Sequence, residues 1–377
     1  MAEQAGQTIG IRMYGVSLNI RCDLPALSAY LTCLLPGMTG PPSDAPDLEV
    51  DARWVTGPWE RCRSLFPDSP QLDGLGKRME VGDNELVWFD THRDKDLQLR
   101  FRRRGDRYLF DVAYCYQPSE RKVAKYTDFR QRTFFRLARY IVHFPIAWHL
   151  ERTRGWALIH ASAVAADGRA VLIVGPGGAG KTTTSVALVA RAGMTLVTEN
   201  LLFCDGSQIY PLVEPLRITG ASAALLSDEL KGLRPIELPG GLGDKSMFWL
   251  PAAQKLEATR AAAVCMPQFS SRAFVQPLPP EIACERIGAI NRLTLELNDY
   301  YWYTAALDLL WPQPHNAARQ LEVLRTLTAT TPCYTFGIDR SAGTEAAVRQ
   351  VLQCLKDAAA NPGVRARGAT DQSPTLT

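Results

Sequence analysis

Ala170-Val171-Leu172-Ile173-Val174-Gly175-Pro176-Gly177-Gly178-Ala179-Gly180-Lys181-Thr182-Thr183-Thr184 is the most informative stretch of this chain. Its first five residues are apolar and of strand length, and the residues after Thr184, SVALVARAG, suit a helix. Between them Gly175 to Thr182 matches G-x-x-x-x-G-K-[S/T] in full, and strand, glycine loop and helix in that order make a phosphate-binding loop. The glycines are needed because the backbone must wind its N–H groups around phosphate oxygens in conformations that a Cβ obstructs. Lys181 supplies a point charge to the β- and γ-phosphates, Thr182 offers a hydroxyl to Mg²⁺, and the helix N-terminus adds its partial positive charge. The nucleotide-binding set is therefore Gly175, Pro176, Gly177, Gly178, Ala179, Gly180, Lys181, Thr182 and Thr183. The cofactors expected are ATP and Mg²⁺, with the choice of ATP over GTP left open.

Working outward, Asp167-Gly168 separates the loop strand from the apolar run Trp156 to Val164 and marks a two-residue hairpin. That register sets Ala166 opposite Arg169 and His160 opposite Gly175, at the mouth of the loop. His160 then has two readings, a supporting catalytic group or a hydrogen-bonded structural residue. Downstream, the helix ends near Ala192-Gly193, and Met194 to Thr198 forms a strand ending in Glu199-Asn200. A short right-handed crossover places this strand beside the loop strand, with its C-terminal end at the nucleotide. Glu199 can there bind Mg²⁺ or accept a proton from an attacking hydroxyl, and Asn200 can be a metal-side or substrate hydrogen-bonding group. The competing reading leaves both as solvated turn residues.

The 377 residues favour two domains, at about 100–200 residues each. A hydrophobic share of 46% with 21% charged residues excludes wholesale disorder, collagen and coiled coil. The net charge of +3 is too mild to demand nucleic acid or a membrane as partner. The nine cysteines include no C-x-x-C pair, which removes local support for a zinc ribbon. With no secretory pattern at the start and no apolar run of about 18 residues, the expectation is a cytoplasmic protein with reduced thiols. Residues 1–128 read as a smaller α+β domain for substrate or partner recognition, with an antiparallel sheet built from runs such as DLEVDARWV, LQLRFRR and RYLFDVAY and a helix over DLPALSAYLTCLL. Residues 129–360 read as an α/β domain with a mixed sheet. It is entered by a helix, interrupted at Pro145, whose stripe is Phe134, Leu137, Ile141 and Val142. Residues 361–377 lack apolar periodicity and read as a disordered tail.

The stretch LIHASAVAADGRAVLIVGPGGAGKTTTSVALVARAGMTLVTEN, residues 158–200, resembles the HPr kinase/phosphorylase superfamily, in particular the HPr-kinase-like proteins that occur beside bacterial peptide-modification genes. A histidine before a hairpin, a phosphate loop, one helix and a strand ending in acid carry the resemblance, with weaker similarity at MYGVSLNIRCDLPAL and TPCYTFGI. It implies a P-loop kinase-like domain of HPr kinase type and transfer of a γ-phosphoryl group to a hydroxyl on a protein, peptide or small metabolite. The family carries two adjacent aspartates where this chain has Glu199 and Asn200, so one carboxylate for Mg²⁺ is missing. That departure sustains a second reading, a nucleotide-binding accessory module with little turnover that presents a peptide or partner protein to other enzymes.

Other residues carry paired readings. Lys245 follows the glycine-rich segment LPGGLGD; the resemblance implies a lysine over the transferring phosphoryl group, while composition alone reads it as a surface residue. Arg217 in EPLRI has the same two readings. Arg100, Arg102 and Arg104 alternate with Phe101 and read as a solvated sheet face, with Arg100 and Arg102 the recognising residues of the accessory reading. Tyr300-Tyr301-Trp302-Tyr303 reads as core packing, and His143 and His149 do not form a metal pair. Oligomeric state is left open, a homo-oligomer included.

Overall fold

The computed structural model describes residues 7–57, 66, 73–75, 78–91, 94–125, 129–236, 245–249, 257–312 and 316–360. The expected tail 361–377 and the glycine-rich segment 238–244 lie outside these residues. The architecture is α/β with mixed sheets.

The first sheet contains β1 (Gln7–Met13), β2 (Val16–Cys22), β3 (Thr39–Gly40), β4 (Leu48–Thr56), β5 (Asp73–Gly74), β6 (Met79–Val81), β7 (Glu85–Trp88), β8 (Leu97–Arg104) and β9 (Arg107–Tyr116), in the order β3-β1-β2-β4-β9-β8-β7-β6-β5. Tyr14 and Gly15 close the β1–β2 hairpin at φ of 53° and 73°, the two-residue turn whose twist matches paired strands. The sheet is not antiparallel throughout, as the sequence suggested. β4 runs parallel to both neighbours, with Leu18 beside Leu48 and Val50 beside Phe110. The cause is the helix Pro25–Leu34, which carries the chain from the end of β2 toward the start of β4, and a crossover of this kind returns a strand in the same direction.

The helices are α1 (Pro25–Leu34), α2 (Glu120–Lys125), α3 (Phe129–Ala138), α4 (Phe144–Arg154), α5 (Lys181–Ala192), α6 (Gly220–Leu225), α7 (Pro280–Leu293), α8 (Leu295–Leu310), α9 (Asn316–Thr330) and α10 (Gly343–Ala360). Phe134, Leu137, Ile141 and Val142 are all buried, as their spacing suggested. Pro145 does not interrupt the helical run. A π turn at Arg139–His143 joins α3 to α4, and the wider turn accommodates a proline that has no N–H to give. α3, α4 and α8 share one core with the first sheet. Phe101 meets Tyr303 at a ring-centroid distance of 5.2 Å, and Phe110 meets Trp148 at 5.8 Å. Tyr300 and Tyr303 are fully buried, while Trp302 is 46% exposed.

The solvated face expected for Arg100, Arg102 and Arg104 holds only at Arg104. The Arg100 side chain is 5% exposed and lies 2.5 Å from Asp111 on the paired strand; Arg102 reaches the same carboxylate at 2.8 Å. Phe66 lies 4.7 Å from the Arg100 guanidinium, so Arg100 is structural and unavailable to recognise a partner. Removing Asp111 strips the close partner from both Arg100 and Arg102 and leaves Arg100 with Glu85 at 3.8 Å. Asp111→Ala is therefore expected to cost about 3–5 kcal/mol, read as a lowered urea midpoint, and a loss under about 1 kcal/mol would contradict this.

The second sheet contains β10 (Ala157–His160), β11 (Ser162–Ala166), β12 (Arg169–Ile173), β13 (Thr195–Thr198), β14 (Leu201–Cys204), β15 (Gln208–Pro211), β18 (Thr259–Phe269), β19 (Val275–Pro277) and β20 (Cys333–Ile338); β16 (Leu216–Thr219) and β17 (Lys245–Phe248) form a separate pair. β12, β18 and β20 are parallel neighbours, so their C-terminal ends open on one edge. α5 and α10 cover one face, with Val186, Leu188, Val348 and Val351 over Val171 and Ile173. α7 and α9 cover the other, with Ile287, Leu324 and Leu327 over Leu172 and Val174. Asp167 and Gly168 close the β11–β12 hairpin in the expected register, Ala166 facing Arg169. β13 does not pair with β12 as the crossover argument required. β11 already occupies that edge, and β13 pairs antiparallel to β11, which still leaves its C-terminal end beside the loop.

Tyr14 joins the two parts: its hydroxyl donates to the Pro211 carbonyl at 2.6 Å, and its ring packs edge-on against Trp156 and Phe203. Cys115 is disulfide-bonded, to a partner outside the described residues, which corrects the expectation that every thiol is reduced. No described helix is long and apolar enough to cross a membrane.

Candidate functional site

β12 ends at Ile173 and α5 begins at Lys181, so the segment between them is the loop that the motif marked. Gly178 and Gly180 have φ of 79° and 87°, a region where a side chain is strained, and these turns bring the first N–H groups of α5 to one mouth. Lys181 folds back over the loop, its Nζ donating to the carbonyls of Gly175 at 2.7 Å and Pro176 at 3.2 Å. Burial pushes the Lys181 ammonium down to about 8, with Glu199 and Glu296 pulling it the other way. The Thr182 hydroxyl donates to Oε1 of Glu199 at 2.6 Å. The other Glu199 oxygen, Oε2, is buried with no hydrogen-bond partner, and burial raises this carboxyl above its usual range.

A cavity of about 480 Å³ opens over this loop and brings together His160, Gly177, Gly178, Gly180, Lys181, Thr182, Thr183, Glu199, Asn200 and Arg217. Gly175, Pro176 and Ala179 belong to the loop but do not line the cavity. His160 reaches it by a different route from the one the hairpin suggested. The strand breaks at Ala161, β10 pairs with β14, and His160 faces Leu201 rather than Gly175. Its backbone N–H donates to Asn291 Oδ1 at 3.0 Å. Burial and the nearby Lys181 push its imidazole down to about 4, so His160 is neutral at pH 7; its Nδ1 is buried without a partner.

Asn200 lines the cavity, and its Nδ2 donates to Glu214 at 2.9 Å. Lys245 begins β17 with its backbone opposite Thr219, which lines the cavity. The side chain of Lys245 lies outside what is described.

Sequence reasoning missed two carboxylates. Glu214 precedes β16, and Glu296 stands in the first turn of α8 and lines the cavity. Arg139 of the π turn reaches Glu296 at 3.0 Å and Glu214 at 3.9 Å. Burial acts to raise both acids, but Arg217 and Arg139 outweigh it: Glu214 is held below its usual range and Glu296 is drawn down to about 2. Three carboxylates and three cations, Lys181, Arg139 and Arg217, thus balance one another. The only sequence signal for Glu214 is its position three residues before Arg217, and Glu296 has no local signal.

This arrangement can bind a polyanion on the loop and stabilise charge beside it. A polyanion binds the ammonium form of Lys181. Below about pH 8 that form is already present. Above it, each bound anion must bring a proton onto Lys181, so affinity for tripolyphosphate is expected to fall by up to tenfold per pH unit. Calorimetry at several pH values checks this, and a Lys181→Arg variant, charged throughout, should bind without that fall. The groups around Lys181 that share its titration are Glu199, Glu296 and His160. The chain matches no protein-family model and no curated protein.

Proposed function

We propose that this chain is an ATP- and Mg²⁺-dependent phosphotransferase that moves the γ-phosphoryl group to a hydroxyl on a protein, peptide or small metabolite. The observation that carries this is the junction of the loop with the strand end: Lys181, Thr182 and Glu199 stand together, with Thr182 and Glu199 in contact at 2.6 Å. Among the described residues no group of three or more His, Cys, Asp or Glu is placed to hold a metal ion. Mg²⁺ bound with a nucleotide uses one or two carboxylates and takes its other oxygens from phosphate and water, and the Thr182 hydroxyl, with Glu199 engaging the ion only through water, fits that set. When bound, Mg²⁺ neutralises charge on the β- and γ-phosphates.

The protein's own part is positioning and electrostatics. The loop N–H groups and the α5 N-terminus hold the phosphates, and Lys181 exchanges its carbonyl partners for phosphate oxygens. Arg217 stabilises the charge that spreads over the transferring group. The buried carboxylate of Glu199, made more basic by its surroundings, takes the proton from the acceptor hydroxyl. Neutral His160 offers a hydrogen bond without adding charge. Glu214 and Glu296 are ion-paired to Arg139 and hold it beside the site.

Purified protein incubated with γ-labelled ATP, Mg²⁺ and pools of hydroxyl compounds or desalted extract tests this. Label should reach a defined acceptor and cease to do so with EDTA. Tight ATP binding with no labelled acceptor in any pool would favour the accessory-module reading.

A further inference from the structure

Away from the glycine loop, α7, α8 and α9 enclose a second cavity of about 480 Å³, floored by the start of β10. It shares no lining residue with the cavity over the loop, and its volume is in the range of small-ligand sites between helices. The α9 wall is apolar, with Leu324 buried and Leu321 40% exposed. Charge in the lining is confined to two residues, Arg292 at the end of α7 and Asp308 near the end of α8.

The two charges stand apart. Arg292 folds back along α7, its Nη1 3.6 Å from where a Cβ on Gly288 would stand, which sets the guanidinium at the cavity. Burial pushes the Tyr301 hydroxyl up to about 12, while a hydrogen bond with Asn291 and the charge of Arg292 draw it down, so Arg292 and Tyr301 share one end. That hydroxyl keeps its proton at pH 7 and can donate it. Asn291 is itself fixed, its Oδ1 accepting the His160 N–H at 3.0 Å. Asp308 lies two turns beyond Tyr301 on the same face of α8, about 10 Å along the helix. Burial raises the Asp308 carboxyl, and the cation that opposes this is Arg152, not Arg292, which keeps the two lining charges at opposite ends.

We propose that this cavity binds an extended zwitterion with an apolar body, the chemistry of a short peptide with free termini. The ligand carboxylate pairs with the Arg292 guanidinium and accepts from the Tyr301 hydroxyl. Its ammonium donates to Asp308, and its apolar part covers Leu321 and Leu324. An extended residue spans at most about 3.3–3.6 Å, so two or three residues, met by the reach of the two side chains, bridge the ends. A free amino acid carries both charges on one carbon and reaches only one of them. The inference stands apart from the phosphotransferase reading and uses none of its residues.

Calorimetry on the full chain tests it, with the tripeptide alanyl-leucyl-alanine, its N-acetyl form, its C-terminal amide, ω-aminooctanoate and leucine as probes. The free tripeptide should bind, and each blocked form and leucine should bind at least about tenfold more weakly, having lost a charged contact. Arg292→Gln should abolish the preference for the acid over the amide and keep the preference for the free amine; Asp308→Asn should do the reverse. The aminoalkanoate has the same two ends without backbone amides. Binding weaker than the tripeptide's identifies a peptide site, and equal binding identifies a site that reads the spaced charges alone; both fit the zwitterion. Blocked peptides binding as well as the free one, leucine matching the tripeptide, either variant weakening all probes equally, or no binding of either extended zwitterion would overturn the assignment. Each of those outcomes leaves the reading of the glycine loop untouched.

Discussion

Lys181→Ala is expected to lower phosphoryl transfer by about 10³-fold or more, the scale of losing a preorganised charge at the reacting phosphate. The ammonium is placed for this and little else. It sits over the loop on the carbonyls of Gly175 and Pro176, buried, with its pKa drawn down to about 8. A downward shift in a lysine means that the fold disfavours the charged form. Replacing it therefore removes a desolvated charge and leaves no buried carboxylate dependent on it alone, since Arg217 also faces Glu199 and Arg139 faces Glu296. The thermal midpoint should stay within a few degrees of wild type, which is about 1 kcal/mol for a domain of this size. Steady-state transfer together with a thermal melt checks both halves. An unchanged turnover would remove Lys181 from the mechanism.

Glu199→Gln separates the two roles that the sequence left open. The amide keeps the shape and can still accept from the Thr182 hydroxyl, but it cannot take up a proton. With Glu199 as the proton acceptor, kcat should fall by about 10²–10⁴-fold, the usual worth of a general base, and Mg-ATP affinity should change by less than about threefold. Loss of Mg-ATP binding with the same variant would make Glu199 chiefly a metal ligand. The pH profile gives a second readout. Burial raises the Glu199 carboxyl, so wild-type kcat should decline on acidification at a pH above the ordinary carboxylate range, and the glutamine variant should lose that limb.

The loop and its flanks were legible because they are local. A strand, four glycines, a lysine and a helix occupy twenty-odd consecutive residues, and the Asp167-Gly168 turn fixes its own register. What depends on pairing between distant segments was not. The crossover from α5 to β13 was read without knowing that β11 holds the edge of β12. His160 was counted along the hairpin past Ala161, where the strand breaks and changes partner. The parallel pairs of the first sheet were readable in principle, because the expected helix over residues 25–34 lies between β2 and β4 and demands them. Arg100 looked solvated by alternation alone; Asp111, eleven residues on, occupies the facing position and buries it.

The acidic and basic residues around the site show the same limit. In sequence, Glu199 followed by Asn200 reads as a single carboxylate at the strand end. In the fold Asn200 ties itself to Glu214, and Arg139 links Glu214 to Glu296, which lies 157 residues beyond that arginine in sequence. Further carboxylates, each held by arginine, thus gather at the site from distant parts of the sequence.

The most direct test runs parallel incubations with α-labelled and γ-labelled ATP, Mg²⁺ and an acceptor pool, using wild type and Lys181→Ala. The expected result is γ-label on a hydroxyl acceptor in wild type, no transfer of α-label, and neither with the variant. Transfer of the α-label would make the chain a nucleotidyl transferase, and bound ATP with no label moved would leave it without a transfer reaction; either outcome contradicts the account.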